Sequence, residues 1–218
     1  MRFIKKGESP DFFEEEKANV GLTAESSWGE FQNPCKTHLT EHLVREQQGL
    51  CAYCECDLSL PITGSESIRS RHLEHLAPQG EHPNLRFSYY NLVASCDGQL
   101  LSNQRIKAGE SCGHRKANEY DESWFLNPTI EEEISHFFTF DPQDGSIKPA
   151  DTGRTEHAEK MIKVLNLDAP YLKDARLNAK QVLLEYLATL ESEQAQTVLN
   201  HELAISREFV SFIRDCFS

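Results

Sequence analysis

Residues 72–78 read His72-Leu73-Glu74-His75-Leu76-Ala77-Pro78. This short run decides the fold, because it ends at a proline and carries a carboxylate and two imidazoles within four residues. Adjacent side chains of a regular strand point to opposite faces. Glu74 and His75 therefore share a site only if the strand ends or bends there, which Pro78 allows. If the strand stays regular, His72 and Glu74 share a face, and His72 becomes the competing ligand.

Two further runs extend the constellation: Tyr90-Asn91-Leu92 and Cys112-Gly113-His114-Arg115-Lys116. Together they supply what phosphodiester hydrolysis needs. A base must take a proton from water, a divalent cation must neutralise developing charge, and a third group must hold the base. His75 is the expected base, since a neutral imidazole titrates near working pH. Glu74 and His114 are expected to hold Mg²⁺ or Mn²⁺, and Asn91 to tether the loop that presses on His75.

Cysteines flank this centre. Cys51-Ala52-Tyr53-Cys54 places two sulfurs one tight turn apart, and Cys96 with Cys112 can supply a second pair. The four would form a closed structural zinc site and clamp the ends of the loop between them. Cys56 is the rival for one ligand place. Cys35 and Cys216 read as ordinary buried thiols.

Four segments follow. Residues 1–49 form an N-terminal segment whose helix opens at Pro34, shows Leu39 and Leu43 on one face, and closes at Gly49. Residues 50–128 form the core, with short strands, long loops and a helix over about 113–120. Residues 129–154 form a hairpin turning at Asp144-Gly145. Residues 155–218 form a helical region with three stripes. Ala158, Met161, Ile162 and Leu165 make the first. Leu172, Ala175, Ala179, Val182, Leu183, Tyr186 and Leu190 make the second. Leu199, Leu203, Phe209, Phe212 and Ile213 make the third.

The 218 residues carry 35 acidic against 22 basic side chains, a net charge of −13. No apolar run reaches the roughly 20 residues of a membrane span. The stretch Met1-Arg2-Phe3-Ile4-Lys5-Lys6 lacks the apolar core of a secretory signal, so the expected compartment is the cytosol. Acidity is an awkward balance for holding nucleic acid. The acidic runs Glu14-Glu15-Glu16 and Glu131-Glu132-Glu133 lie outside the expected core. Arg69, Arg71, Arg86, Arg105, Lys107, Arg115 and Lys116 gather near it, as a locally basic groove on an acidic body would.

The order Cys51-x2-Cys54, Glu74-His75-x2-Pro78, Asn91-Leu92, Cys96 and Cys112-x3-Lys116 resembles an HNH endonuclease. It is similar in particular to the PtuB family of HNH subunits in Septu and retron-associated anti-phage systems. The run from Glu46 to Glu55, the Cys112–Lys116 run, and Leu165-Asn166-Leu167 leading to Leu172 and Arg176 carry that narrower likeness. The resemblance implies an α+β fold with a zinc-stapled ββα-metal (His-Me finger) core. It also implies a DNA-cutting effector that forms a hetero-oligomer with a PtuA-like ATPase partner. Glu74 falls at the acidic metal position, His75 at the base and Asn91 at the middle asparagine. Two departures stand out. The second cysteine pair is opened to Cys96-x15-Cys112, and the third metal ligand falls on Gly113. His114 is the nearest substitute, with Asn118 four residues further on the same helix face. The rival reading is a zinc-stapled adaptor that binds nucleic acid or protein without cutting.

Overall fold

The computed structural model describes residues 1–59, 71–98, 111–205 and 207–217. The fold is mixed α+β. Helix α1 (Asp11–Val20) and helix α2 (Cys35–Glu46) lead into the cysteine-bearing turn. Strand β1 (Arg71–His75) pairs antiparallel with β2 (Leu92–Cys96), and helix α3 (Cys112–Lys116) packs on β2. Strands β3 (Phe138–Phe140) and β4 (Ile147–Pro149) make a second, separate antiparallel pair. Helices α4 (Thr155–Leu165), α5 (Pro170–Ala188), α6 (Ser192–Ala204) and α7 (Val210–Cys216) follow. No helix among the described residues is long and apolar enough to cross a membrane.

Helix α2 buries Leu39 and Leu43. It unwinds at Gln47, and Gly49 takes a left-handed conformation with φ 82°. The buried Gln47 amide then behaves like a strand residue. Its Nε2 donates to Ala94 O (2.9 Å) and Leu50 O (2.8 Å), while Ala94 N donates to its Oε1 (2.7 Å). One side chain thus ties the end of α2 to β2 and to the start of the cysteine turn.

The hairpin turns through Gly145 at φ 71°. A Cβ there would stand 2.6 Å from Lys173 O, so glycine lets the start of α5 approach. Behind it the buried Arg176 guanidinium donates to Gly145 O (2.8 Å) and Leu167 O (2.7 Å), pinning hairpin, α4–α5 connection and α5 together.

Three sequence expectations need correction. The helix expected over 113–120 stops at Lys116, because Ala117 leaves helical geometry (φ 48°, ψ −116°). In the second stripe, Leu172, Ala179 and Leu183 are buried, but Val182 and Tyr186 are exposed. The buried positions of α5 end at Leu183, and Val182 and Tyr186 face solvent. The third stripe is two helices: α6 ends at Ala204 with Leu199 and Leu203 partly buried against the core, while Phe209, Phe212 and Ile213 in and before α7 are fully buried in it.

Arg176→Ala strands two buried carbonyls. It should lower unfolding free energy by about 2–4 kcal/mol in a denaturant titration. A change within about 0.5 kcal/mol would show that the guanidinium bonds contribute nothing net.

Candidate functional site

The CxxC turn is a tight loop closed by a Leu50–Asp57 bridge and by Cys51 N donating to Cys56 O (2.9 Å). Strand β2 delivers Cys96 beside it, and the N-terminus of α3 delivers Cys112. The sulfurs of Cys51, Cys54, Cys96 and Cys112 lie within 4.8 Å of one another, all buried. Cys54 and Cys96 are 3.7 Å apart. That is far beyond a disulfide bond. It matches the edge of about 3.8 Å expected when four sulfurs stand about 2.3 Å from one ion. Cys96 N donates to Cys51 Sγ (3.4 Å), the kind of bond that stabilises a thiolate. The Cys54 thiol is brought down to about 6 by its neighbours, Cys112 foremost. Burial opposes ionisation of Cys51, but the surrounding thiols outweigh it and lower it too. The donor set therefore fits a structural metal ion such as zinc. Gly98 and Ser111 also meet here, with a Gly98 Cβ placed 2.5 Å from Ser111 O. Gly98 and Ser111, the described residues on either side of 99–110, thus lie against each other.

Helix α3 closes over one face of the β1–β2 pair. Gly113 N donates to Ser95 Oγ (3.2 Å). Strand β1 stays regular through His75, which pairs with Leu92. The bend that would turn Glu74 and His75 the same way is absent, and His72 and Glu74 share the α3 face. Glu74 is buried. Its Oε1 meets Lys116 Nζ (3.1 Å) and Tyr53 OH (3.2 Å), and its Oε2 meets His72 Nε2 (3.4 Å). His72 Nδ1 lies 3.0 Å from Asp97 Oδ1, which also lies 3.2 Å from His114 Nε2. Burial works against protonation of His72, but the Asp97 and Glu74 carboxylates outweigh it and push the imidazole up to about 9. Burial likewise works against the Glu74 carboxylate, yet His72 and Lys116 hold it below the usual range.

His75 occupies the other face. Its ring packs edge-on against Trp28, with centroids 4.5 Å apart, and its Nε2 lies 3.0 Å from Arg86 O. A carbonyl only accepts, so Nε2 carries the proton and Nδ1 keeps its lone pair. Burial lowers this imidazole below its ordinary value. Asn91 sews the intervening loop. Ala77 N donates to its Oδ1 (2.8 Å), and its Nδ2 donates to Ala77 O (3.0 Å) and Leu85 O (3.1 Å).

Of the expected residues, the four cysteines converge, and Glu74 and His114 are linked through His72 and Asp97. Asn118 is exposed and off the helix that was expected to carry it. Cys56 is buried beside the thiol group but outside its set of four. Much of the basic groove is spent internally. Arg71 donates to Leu58 O, Arg86 to Gln79, Ala24 and Ser26 carbonyls, and Lys116 is buried against Glu74. Arg69, Arg105 and Lys107 lie outside the described residues. Arg115 remains exposed beside a groove of about 720 Å³ between α3 and α4, which Lys160 and Lys163 share with Glu119, Glu156 and Glu159.

No family model matches the chain. It is 28% identical over 181 residues to the "Retron Ec83 putative HNH endonuclease" of Escherichia coli, covering 69% of each chain. It is 26% identical over 147 residues to Septu protein PtuB of Bacillus thuringiensis, covering 64% of this chain and 47% of that one. These likenesses support an HNH family relationship. The chain thus spans under half the length of the Septu protein.

Sequence reasoning missed Asp97 and Tyr53. The only signal for Asp97 was its place one residue past a ligand cysteine. Tyr53 sits inside the CxxC turn, where a buried tyrosine hydroxyl needs a partner.

Purified protein should carry zinc, measured by elemental analysis. Cys54→Ser should lose it and drop the melting temperature by roughly 10 °C or more, while Cys56→Ser keeps it. Zinc retained by Cys54→Ser but lost from Cys56→Ser would reassign the ligand.

Proposed function

We propose that the chain is a metal-dependent endonuclease of the HNH type that hydrolyses DNA phosphodiester bonds. In this reading it is the effector of an anti-phage system, acting with an ATPase partner. The two similar proteins, one named as an HNH endonuclease and one as a Septu protein, support the class. The observation that carries it is α3 closing over Glu74 on the β1–β2 pair, pinned by four buried thiols, with His75 next in sequence.

His75, the last residue of β1, is the general base for a phosphate lying across that strand end, which a cation on the α3 face would reach from the opposite side. Its Nε2–H is held by the Arg86 carbonyl, Trp28 packs its ring, and Nδ1 takes the proton from the attacking water. Asn91 fixes the loop that carries Arg86, so it sets the base through that loop. Lys116 and Tyr53 anchor Glu74 on the α3 face, where His72 and Asp97 join it to His114, and a divalent cation (Mg²⁺ or Mn²⁺) would be held on that face with His114 among its ligands. When bound, that cation supplies positive charge to the pentavalent phosphate and the departing 3′ oxygen. Zinc in the four-thiol group holds α3 against the strands.

Among the described residues few cations near the site are free of internal partners, which supports a division of labour in which the partner supplies grip on DNA. The isolated chain should bind duplex DNA no tighter than the micromolar range typical of non-specific contact, measured by fluorescence anisotropy. A tight, steeply salt-dependent complex of the lone chain would contradict that division.

The endonuclease reading is tested by plasmid nicking with Mn²⁺ or Mg²⁺, with and without the co-expressed ATPase. EDTA should stop cutting, and His75→Ala should slow it by about 10²–10⁴-fold while the protein stays folded. Undiminished cutting by His75→Ala, or none by the parent even with partner and Mn²⁺, would sink it in favour of an adaptor.

A further inference from the structure

Glu74 has few lone pairs left to give. Both of its oxygens already have partners: Tyr53 and Lys116 on Oε1, His72 on Oε2. Gly113 seals its remaining side, since a Cβ there would stand 2.5 Å from Glu74 Oε2 and 2.8 Å from His72 Nε2. Residue 113 therefore has no room for a ligand side chain, and the helix position opposite the carboxylate is filled by the His72 ring.

One step outward, the chemistry changes. His72, Asp97 and His114 each bring a donor atom within 4.8 Å of the others. Asp97 Oδ1 stands 3.0 Å from His72 Nδ1 and 3.2 Å from His114 Nε2. Donors each about 2.1 Å from one ion are separated by about 3.0–3.4 Å, so these spacings need little adjustment. The side chains are 23%, 35% and 49% exposed in that order, so the group opens to solvent and leaves room for water or a phosphate oxygen. The three come from three different pieces of chain: mid-β1, the residue after β2, and α3.

We propose that His72, Asp97 and His114 form a divalent-cation site, with Glu74 as the buried carboxylate that orients His72 through its other ring nitrogen. A carboxylate behind a ligating imidazole fixes the ring and raises its basicity. Two imidazoles and one carboxylate suit a transition ion such as Mn²⁺ better than Mg²⁺, which favours all-oxygen sites. The catalytic use of this site rests on the endonuclease reading above, but the binding itself does not.

The test uses full-length protein with its thiol group loaded with zinc, titrated with Mn²⁺ alone and followed by the electron paramagnetic resonance of free Mn²⁺. The parent should bind one Mn²⁺ per chain, with millimolar Mg²⁺ failing to displace it. His114→Ala and Asp97→Asn, both at half-exposed positions, should each weaken binding at least about tenfold, with unchanged circular dichroism and zinc content. Glu74→Gln should weaken it by less than those two. Binding lost in Glu74→Gln but intact in His114→Ala and Asp97→Asn would overturn the assignment, as would no Mn²⁺ binding by the parent. Mn²⁺ bound in the stated pattern by a protein that never cuts DNA would leave the site standing and remove the endonuclease reading. Cutting that depends on His75 in a protein whose Mn²⁺ affinity ignores His72, Asp97 and His114 would do the reverse.

Discussion

Four buried sulfurs gathered within 4.8 Å mark the point where three short pieces of chain meet. The β1–β2 pair is five residues long on each strand, and α3 is five residues. Neither is stable alone, since an isolated hairpin is marginal and a helix of that length lies far below the nucleation threshold. What fixes them is attachment. Cys96 ends β2, Cys112 starts α3, and both are drawn to the turn carrying Cys51 and Cys54. Cys112 sits at φ 60°, a conformation costly for a residue with a side chain and held only because its surroundings over-determine it. Gln47 adds the second restraint, bonding α2, the turn and β2 through one amide.

That scaffold fixes where charge can sit. Lys116 is almost fully buried, which is tolerable only because Glu74 lies 3.1 Å away and Leu76 O accepts from it. The pair is positioned by the helix that Cys112 anchors, so the four-thiol group and the acidic residue are coupled through one short helix. Outward from the pair the polar chain continues through His72 and Asp97 to His114 at the surface. Burial falls along this chain, and with it the cost of exchanging a hydrogen bond for a cation. The same gradient separates residues that orient from residues that remain free to bind.

The sequence made some of this legible and hid the rest for identifiable reasons. The Cys51–Cys54 pair could be read because its spacing is local, and Cys96 with Cys112 followed as the second pair that four-fold ligation needs. The alternation that puts His72 beside Glu74 stood only as the rival to a bend before Pro78, and β1 stays regular without that bend. The extent of α3 could not be read, because nothing in Ala117-Asn118 signals a helix stop; tertiary context ends it. Nor could the fate of the basic residues. Arg71, Arg86 and Lys116 look like a nucleic-acid face in a list of charges, yet each is committed to internal carbonyls or to Glu74. Asp97 was invisible because its role depends on two histidines brought in from elsewhere in the chain.

This internal use of cations bears on control. On the endonuclease reading, an enzyme needs both a cutting centre and a means to hold its polymer. Among the described residues, the exposed positive charge of Arg115, Lys160 and Lys163 beside the candidate centre is interleaved with Glu119, Glu156 and Glu159. Net charge of −13 repels a polyanion at long range, and only local groups can offset that within about a Debye length. On that reading, a centre carried on a body that repels DNA is quiet by default. Such an enzyme gains activity mainly by raising the local concentration of DNA, which a bound partner can do without touching the chemistry.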